Sequence, residues 1–174
     1  MIGIEDALIF GKAGISLIPG IVDVVKKVRS TNPEPSLQRV IDQLITDTRE
    51  QCKRLSDETR LLQVSLTDLS GGKDKKLSEL YEDVGLLNFP RKNSIKKHKE
   101  ALRNIHNALS SSVDDIVSVL ICTGKAKDLK QASEITQAVR KDLDGLISSS
   151  EEKTVGQILD VYRKTIDHWV KELS

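Results

Sequence analysis

The chain has 174 residues, of which 30% are charged and 3% are aromatic, and its formal net charge is +1. This length fits one domain, and we expect residues 1–174 to form it. The balanced charge argues against a nucleic-acid-binding surface, and the scarcity of aromatic side chains argues against platforms for stacking bases. The four prolines and ten glycines lie mostly between periodic apolar runs, which is typical of an all-α protein.

The first 28 residues differ in composition from everything that follows. They contain six isoleucines, four glycines and one proline, and they are apolar almost all the way round a helix. A helical wheel places four polar residues within about 40° of each other, Glu5, Lys12, Ser16 and Asp23, with Lys27 beside them. Only Asp6 breaks this pattern. We call the four residues the polar stripe.

Small residues lie nearly opposite the polar stripe. This small-residue stripe consists of Gly3, Ala7 and Gly11, four residues apart, with Gly14 close by. The flanks are apolar and comprise Ile4, Leu8, Ile9, Phe10, Ile15, Leu17 and Ile18. Small residues at this spacing let two helices approach backbone to backbone, as many membrane helices do. Pro19 and Gly20 then predict a kink or a break, and hence a hinge.

The charged residues decide whether this segment can cross a membrane alone. About 24 helical residues reach roughly 36 Å, which is long enough. The gain from the apolar side chains is nearly offset by Lys12 near the middle and by the carboxylates towards the ends. A single copy is therefore not expected to insert stably, whereas several copies with their polar stripes facing a shared lumen are. The alternative is a core helix buried on all sides, which would also be apolar all round.

The rest of the chain predicts amphipathic helices. One long helix is expected over 36–69, capped by Asn32 or Ser36 and ended by Ser70-Gly71-Gly72. A short helix follows over 74–88, and long helices are expected over 93–123, 128–148 and 151–173, the last with Ser149 and Glu152 as its capping box. Short connections between long helices favour antiparallel neighbours. We therefore predict an antiparallel bundle of the four long helices (36–174), with the N-terminal helix added to it.

The sequence predicts neither an enzyme nor a cofactor or metal site. The histidines (His98, His106 and His168) form no metal-binding pattern with each other or with the cysteines. Cys52 and Cys122 lie among apolar residues of predicted helices, so we expect both thiols to be reduced and buried. Two pairs, Arg91 with His98 and Arg163 with His168, resemble the arginine–histidine pattern of the HEPN ribonucleases, and RNA cleavage is a remote alternative function.

Two lysine clusters are candidates for contact with anionic lipid headgroups. They are Lys73, Lys75 and Lys76 before the predicted short helix, and Lys92, Lys96 and Lys97 after it. Each lysine near a membrane surface contributes about 1 kcal/mol of attraction. The alternative is a solvated helix face, which is the usual role of such clusters.

A glycine-rich amphipathic N-terminal helix followed by a bundle of long helices resembles the HeLo-type cell-death domains. These include the fungal HeLo and HeLo-like domains, the bundle of the mixed-lineage kinase-like pseudokinase, and the bacterial Bell domains. The resemblance lies in the layout of the whole chain, and its specific part is IGIEDALIFGKAGISLIPGIV. No diagnostic motif carries it.

The resemblance implies a soluble bundle in the cytoplasm that relocates to the inner face of the membrane. Oligomerisation would expose the N-terminal helix, and the assembled helices would form a pore in an immune response. The implied partners are membrane lipid, further copies of the chain, and an upstream sensor or signalling protein, with no nucleic acid. The alternative of a different class is a structural or adaptor bundle that presents a helical face to a protein partner.

Overall fold

The structure, a computed structural model, describes residues 4–30, 32–76, 78–80, 89–122, 130 and 153–174. Four long helices lie within these residues: α1 Ile4–Arg29, α2 Pro35–Leu69, α3 Phe89–Cys122 and α4 Val155–Glu172. No β-strand occurs among them. The prediction of an all-α protein is therefore confirmed.

The apolar stripe predicted for α2 is the face that it buries. Its buried residues recur at three- and four-residue steps: Ile41, Leu44, Ile45, Thr48, Cys52, Leu55, Thr59, Leu62, Leu66 and Leu69. The start of α2 differs from the prediction, because its N-cap is Glu34, which makes no side-chain capping bond. Pro35 occupies the first helical position, where a missing N–H costs nothing.

Two glycines end α2 as predicted. Gly71 and Gly72 have φ values of 67° and 84°, in the left-handed region that side chains with a Cβ avoid. The Gly72 N–H donates to the Thr67 carbonyl oxygen at 2.9 Å. Residues 73–76 are not helical, so the short helix does not begin at 74. Residues 78–80 are helical, and the remainder of 74–88 lies outside the described residues.

The bounds of the last two described helices differ from the predicted ones by about a turn. α3 starts four residues earlier than predicted, with Pro90 tolerated in its first turn. α4 starts at Val155 rather than 151, because the capping box is formed by Thr154 and Gln157 and not by Ser149 and Glu152. The predicted helix 128–148 lies outside the described residues except for position 130, which is helical.

The contacts between helices give their relative directions. α2 meets α3 in reverse order, since Ser65 contacts Ser94 while Glu58 contacts His98. α1 runs in the same direction as α3, because Asp6 pairs with Lys99 and the ring of Phe10 lies beside that of His106.

α4 also runs in the direction of α1. Tyr162 contacts Leu8 near one end, and Glu172 contacts Lys26 near the other. The first residues of α1, α3 and α4 therefore lie at the same end of the molecule as the last residues of α2. The complete antiparallel arrangement of the four predicted long helices remains a prediction.

Asp74 fastens the segment after α2 to the start of α4. Its Oδ1 accepts a hydrogen bond from the Gly156 N–H at 2.9 Å, and its Oδ2 accepts one from the Thr154 hydroxyl. The Val155 N–H donates to the Lys75 carbonyl oxygen at 3.0 Å. A carboxylate at this position binds free N–H groups of the first turn and complements the helix dipole.

Gly156→Ala is expected to break this attachment, because a Cβ at position 156 would lie 2.5 Å from Asp74 Oδ2. The carboxylate must turn away and lose its hydrogen bonds, so we expect a loss of about 1 kcal/mol of unfolding free energy in urea titrations. In a chain that already carries Asp74→Ala, the same glycine substitution should cost nothing. Equal costs in both backgrounds would contradict the assignment.

Candidate functional site on the N-terminal helix

α1 is part of the core of the molecule. It contacts α2, α3 and α4, and 15 of its 26 residues are buried. Leu17 to Val22 are six consecutive buried residues, and at 100° per residue such a run covers every side of a helix. Residues 17–22 are thus enclosed, whereas the N-terminal half of α1 buries one face.

The predicted hinge is helical. α1 continues through Pro19 and Gly20, which are both buried, so the predicted break at this position is wrong. Whether the helix axis bends there stays a prediction. Gly20 has open space around its missing side chain, with no atom within 4 Å of an ideal Cβ. Tight packing therefore does not account for this glycine.

In the folded molecule, most residues predicted to contact membrane face the core. Ile4, Ala7, Leu8, Gly11, Gly14, Ile15 and Ile18 are buried, Phe10 is partly buried, and Gly3 lies outside the described residues. Ile9, a residue of the apolar flanks, has 57% of its surface exposed. The apolar surface that would enter a bilayer is thus the surface that holds the described helices together.

The small-residue stripe receives side chains from the other three helices. An ideal Cβ on Gly11 would lie 3.3 Å from Tyr162 Cε2, and one on Gly14 would lie 3.4 Å from Leu55 Cδ2 and 3.6 Å from Leu109 Cδ1. The stripe was predicted to serve packing between membrane helices. In this structure it serves packing inside one molecule.

Tyr162 makes the one buried polar contact described between α1 and α4. Its hydroxyl donates to the Leu8 carbonyl oxygen at 3.2 Å, next to the ring contact with Gly11. Burial raises the pKa of Tyr162 to about 12. The one sequence feature that points to this role is the place of Tyr162 on the apolar face of α4.

The polar stripe lies at the surface or at its edge. Glu5 is exposed, and Lys12, Ser16 and Asp23 are partly exposed. Asp23 pairs with Lys27 at 2.6 Å, and the Ser16 hydroxyl donates to the Ala13 carbonyl oxygen at 2.8 Å. The polar face predicted for this helix is therefore its solvent side in the folded molecule.

Two ion pairs join α1 to its neighbours across the surface. Asp6, the residue outside the polar stripe, pairs with Lys99 of α3 at 2.6 Å. Lys26 pairs with Glu172 of α4, and this hydrogen bond lowers the pKa of the Glu172 carboxyl. Exposed pairs of this kind contribute little to stability. The apolar contacts thus account for most of what holds α1 in place.

The two lysine clusters lie at one end of the molecule. Lys73, Lys75 and Lys76 follow the end of α2, whereas Lys92, Lys96 and Lys97 lie in the first turns of α3, which meet the last turns of α2. Lys73, Lys96 and Lys97 are exposed, and the other three are partly exposed. α1 begins at the same end.

A polar cluster around His98 lies between α2 and α3, and no sequence pattern predicts it. His98 Nε2 lies 2.9 Å from Ser65 Oγ, and His98 Nδ1 contacts the Glu58 carboxylate. A second hydroxyl, Ser94 Oγ, lies 3.5 Å from the same nitrogen, Nε2. No local pattern could reveal this cluster, because it joins residues 40 positions apart.

The two arginine–histidine pairs of the ribonuclease-like pattern have different surroundings in the structure. His98 is engaged by Glu58 and Ser65, and the side chain of Arg91 lies outside the described residues. Arg163 pairs with Asp160 at 3.5 Å, whereas His168 is exposed beside the ring of Trp169. Five residues apart on a helix, Arg163 and His168 point about 140° away from each other.

The two thiols differ, although both were expected to be buried. Cys52 is buried and Cys122, the last residue of α3, is exposed. Burial raises the pKa of Cys52 from 9.0 to about 12.

With Ellman's reagent at pH 8, we therefore expect one fast thiol and one slow thiol, since the thiolate is the reactive form. Cys122→Ser should remove the fast phase, and Cys52→Ser should remove the slow one. The raised pKa of Cys52 means that the folded state favours the neutral thiol. The contribution of this neutral thiol to the free energy of unfolding is complete below pH 9 and is lost as the pH rises towards 12. Two fast thiols in the folded protein would contradict the burial of Cys52.

Among the described residues, α1 is the one helix long and apolar enough to cross a membrane, a test that the core helix of a soluble protein also passes. No group of three or more histidine, cysteine or acidic residues in that part of the chain could hold a metal ion. No family model matches the sequence, and no curated protein or solved structure matches the chain.

Proposed function

We propose that this chain is a membrane-targeting, pore-forming effector of cell death in immune defence. It rests as a soluble antiparallel bundle, and oligomerisation exposes α1, which then enters the membrane. This is the behaviour that the resemblance to HeLo-type domains implies. The observation that carries the proposal is the composition of α1, which is long and apolar enough to span a bilayer while its polar residues follow one stripe.

The energetics of α1 support a membrane as the acceptor of the released helix. Eleven of its buried residues are apolar side chains: Ile4, Ala7, Leu8, Ile15, Leu17, Ile18, Ile21, Val22, Val24, Val25 and Val28. Exposing most of them to water costs about 1.5–3 kcal/mol each, which no surface ion pair offsets. Moving them from the core into lipid keeps them out of water, so the bilayer removes most of that cost.

The polar stripe supports assembly of several copies. In lipid, Lys12 and its neighbours need water or partners, which a shared lumen lined by several polar stripes provides. The apolar flanks on the two sides of the polar stripe would then pack one α1 against the next, while the small-residue stripe faces away from the lumen. In the resting molecule Leu8, Ile15 and Leu17 of these flanks are buried in the core, so the bundle and the pore compete for the same surfaces.

The lysines at the end where α1 begins would bind anionic headgroups and bring this end to the inner face of the membrane. The activating partner in this proposal is an upstream sensor or signalling protein that gathers several copies. Neither step uses a cofactor or a metal.

The test compares two substitutions on α1, each in a chain fused to an inducible oligomerisation tag. On the helical wheel Phe10 points about 140° away from the centre of the polar stripe, whereas Ile9 lies beside the stripe in the direction of Lys27. Forced oligomers of the original sequence and of Ile9→Asp should release dye from vesicles that contain anionic phospholipid, because position 9 is 57% exposed in the bundle and lies on the lumen side in the pore. Phe10→Asp should release at least about tenfold less, because a carboxylate that faces lipid costs about 2.5–3.5 kcal/mol. Circular dichroism checks the fold of both variants, since Phe10 is partly buried. The proposal fails if the original sequence releases no dye or if Phe10→Asp releases as much.

The second candidate is a structural or adaptor bundle, and the enclosure of residues 17–22 on all sides favours it. A helix with that role should never leave the core. Hydrogen exchange distinguishes the two candidates: amides of α1 that stay protected in forced oligomers on vesicles favour the adaptor, and amides that exchange faster than those of α2 favour release.

A further inference from the structure

A face of α2 that points away from the core carries two exposed apolar side chains between Arg54 and Asp68, with a third exposed charge, Asp57, one turn before Leu61. Leu61 is 46% exposed and Val64 is 54% exposed. Residues seven apart on a helix differ by only about 20° in direction, so Arg54 and Asp68 lie on the same side as Leu61, two turns before it and two turns after it. We call Arg54, Leu61, Val64 and Asp68 the α2 face.

The two charges of the α2 face are available to a partner. Arg54 and Asp68 are both exposed. Neither makes an ion pair or a side-chain hydrogen bond with any of the residues that the structure describes. They have opposite signs and lie at equal distances from Leu61, about 10 Å along the helix axis. The pair of Arg54 and Asp68 is complementary to itself when it is turned end for end, and the exposed Asp57 then faces a serine, Ser65 of the partner subunit.

We propose that the α2 face binds the α2 face of a second copy of the chain, with the two helices antiparallel about a two-fold axis at Leu61. In that arrangement a residue n positions after Leu61 faces the residue n positions before it on the other copy. Arg54 therefore faces Asp68 of the partner subunit, and the same pair forms again at the other end. Leu61 meets its own counterpart at the centre, and Val64 covers it from the side.

The size of this contact sets its strength. Two helices that cross at one apolar pair bury less surface than a standard interface, so the dimer is weak and depends on concentration. We expect a dissociation constant between roughly 10 μM and 1 mM. The contact does not involve α1, so a test of the dimer is independent of a test of pore formation.

Charge exchange provides the test, with sedimentation equilibrium of the full chain as the measurement. Arg54→Asp alone and Asp68→Arg alone each place like charges opposite each other twice, and each should raise the dissociation constant at least about tenfold. The double variant R54D/D68R restores both pairs with reversed sign, and its dissociation constant should return to within about threefold of the original. Leu61→Glu should abolish the dimer.

Arg103→Asp is the matched control for Arg54→Asp, because Arg103 is exposed on α3 and the substitution changes the net charge by the same amount. Its dissociation constant should equal that of the original chain. Circular dichroism of every variant separates loss of binding from loss of fold. The proposal is overturned if the chain stays monomeric at all concentrations or grows into open polymers. It is also overturned if the dissociation constant of the double variant is as high as those of the single variants.

Discussion

Ile18→Asp should unfold the protein or nearly so. Ile18 is fully buried in the part of α1 that is enclosed on all sides. The substitution removes about 2–3 kcal/mol of apolar burial and places a carboxylate where the described structure provides no ionic partner. We expect a loss of more than about 4 kcal/mol, a large share of the 5–15 kcal/mol that domains of this size possess. Urea titration followed by circular dichroism measures it.

Ile9→Asp is the control for this experiment, since it is the same substitution at a half-exposed position of the same helix. Its effect should stay within about 0.5 kcal/mol. The contrast tests the orientation of α1, because a helix turned by half a revolution would exchange the two results. If Ile18→Asp is tolerated as well as Ile9→Asp, α1 does not belong to the core, and the contacts described above are wrong.

Gly11→Leu should cost about 2 kcal/mol of unfolding free energy. Even a Cβ at this position would lie 3.3 Å from the ring of Tyr162, so a whole leucine side chain must push that ring aside. The Tyr162 hydroxyl then loses its bond to the Leu8 carbonyl oxygen. Overpacking of this kind costs about 1–3 kcal/mol, and the better helix propensity of leucine returns under 1 kcal/mol.

The neighbouring glycines provide matched alanine controls. Gly20→Ala should stabilise the protein by about 0.5–1 kcal/mol, because its Cβ meets no atom within 4 Å and alanine favours a helix. At Gly11 the tight contact with Tyr162 should cancel that gain. Thermal unfolding of the two alanine variants side by side measures the difference, and equal stabilisation by both would mean that Tyr162 is not seated on Gly11.

The sequence predicted what depends on local pattern. The three- and four-residue steps of α2 identified its buried face, because the helical period alone determines which residues share a side. The glycines after Ser70 marked its end, since the left-handed conformation there is a local requirement. The capping box of α4 was misplaced because two candidate pairs stand close together, and the bonds of Asp74 to Thr154 and Gly156 come from a distant segment.

The placement of α1 could not be predicted in the same way. Its composition fits a core helix and a membrane helix equally well, because both environments exclude water. Only the contacts with Tyr162, Leu55 and Leu109 show which surface it uses in the folded chain. The cluster of His98 with Glu58 and Ser65 likewise depends on how α2 and α3 lie against each other.

The contact between Leu8 and Tyr162 can form only after most of the chain between them has been synthesised. The two residues are 154 positions apart, so α1 leaves the ribosome well before α4. At a synthesis rate of about 5–20 residues per second, roughly 8–30 s pass between the synthesis of α1 and that of α4. During that time the apolar surface of α1 has no α4 to pack against. Membranes and chaperones can therefore compete with α4 for α1 of the nascent chain.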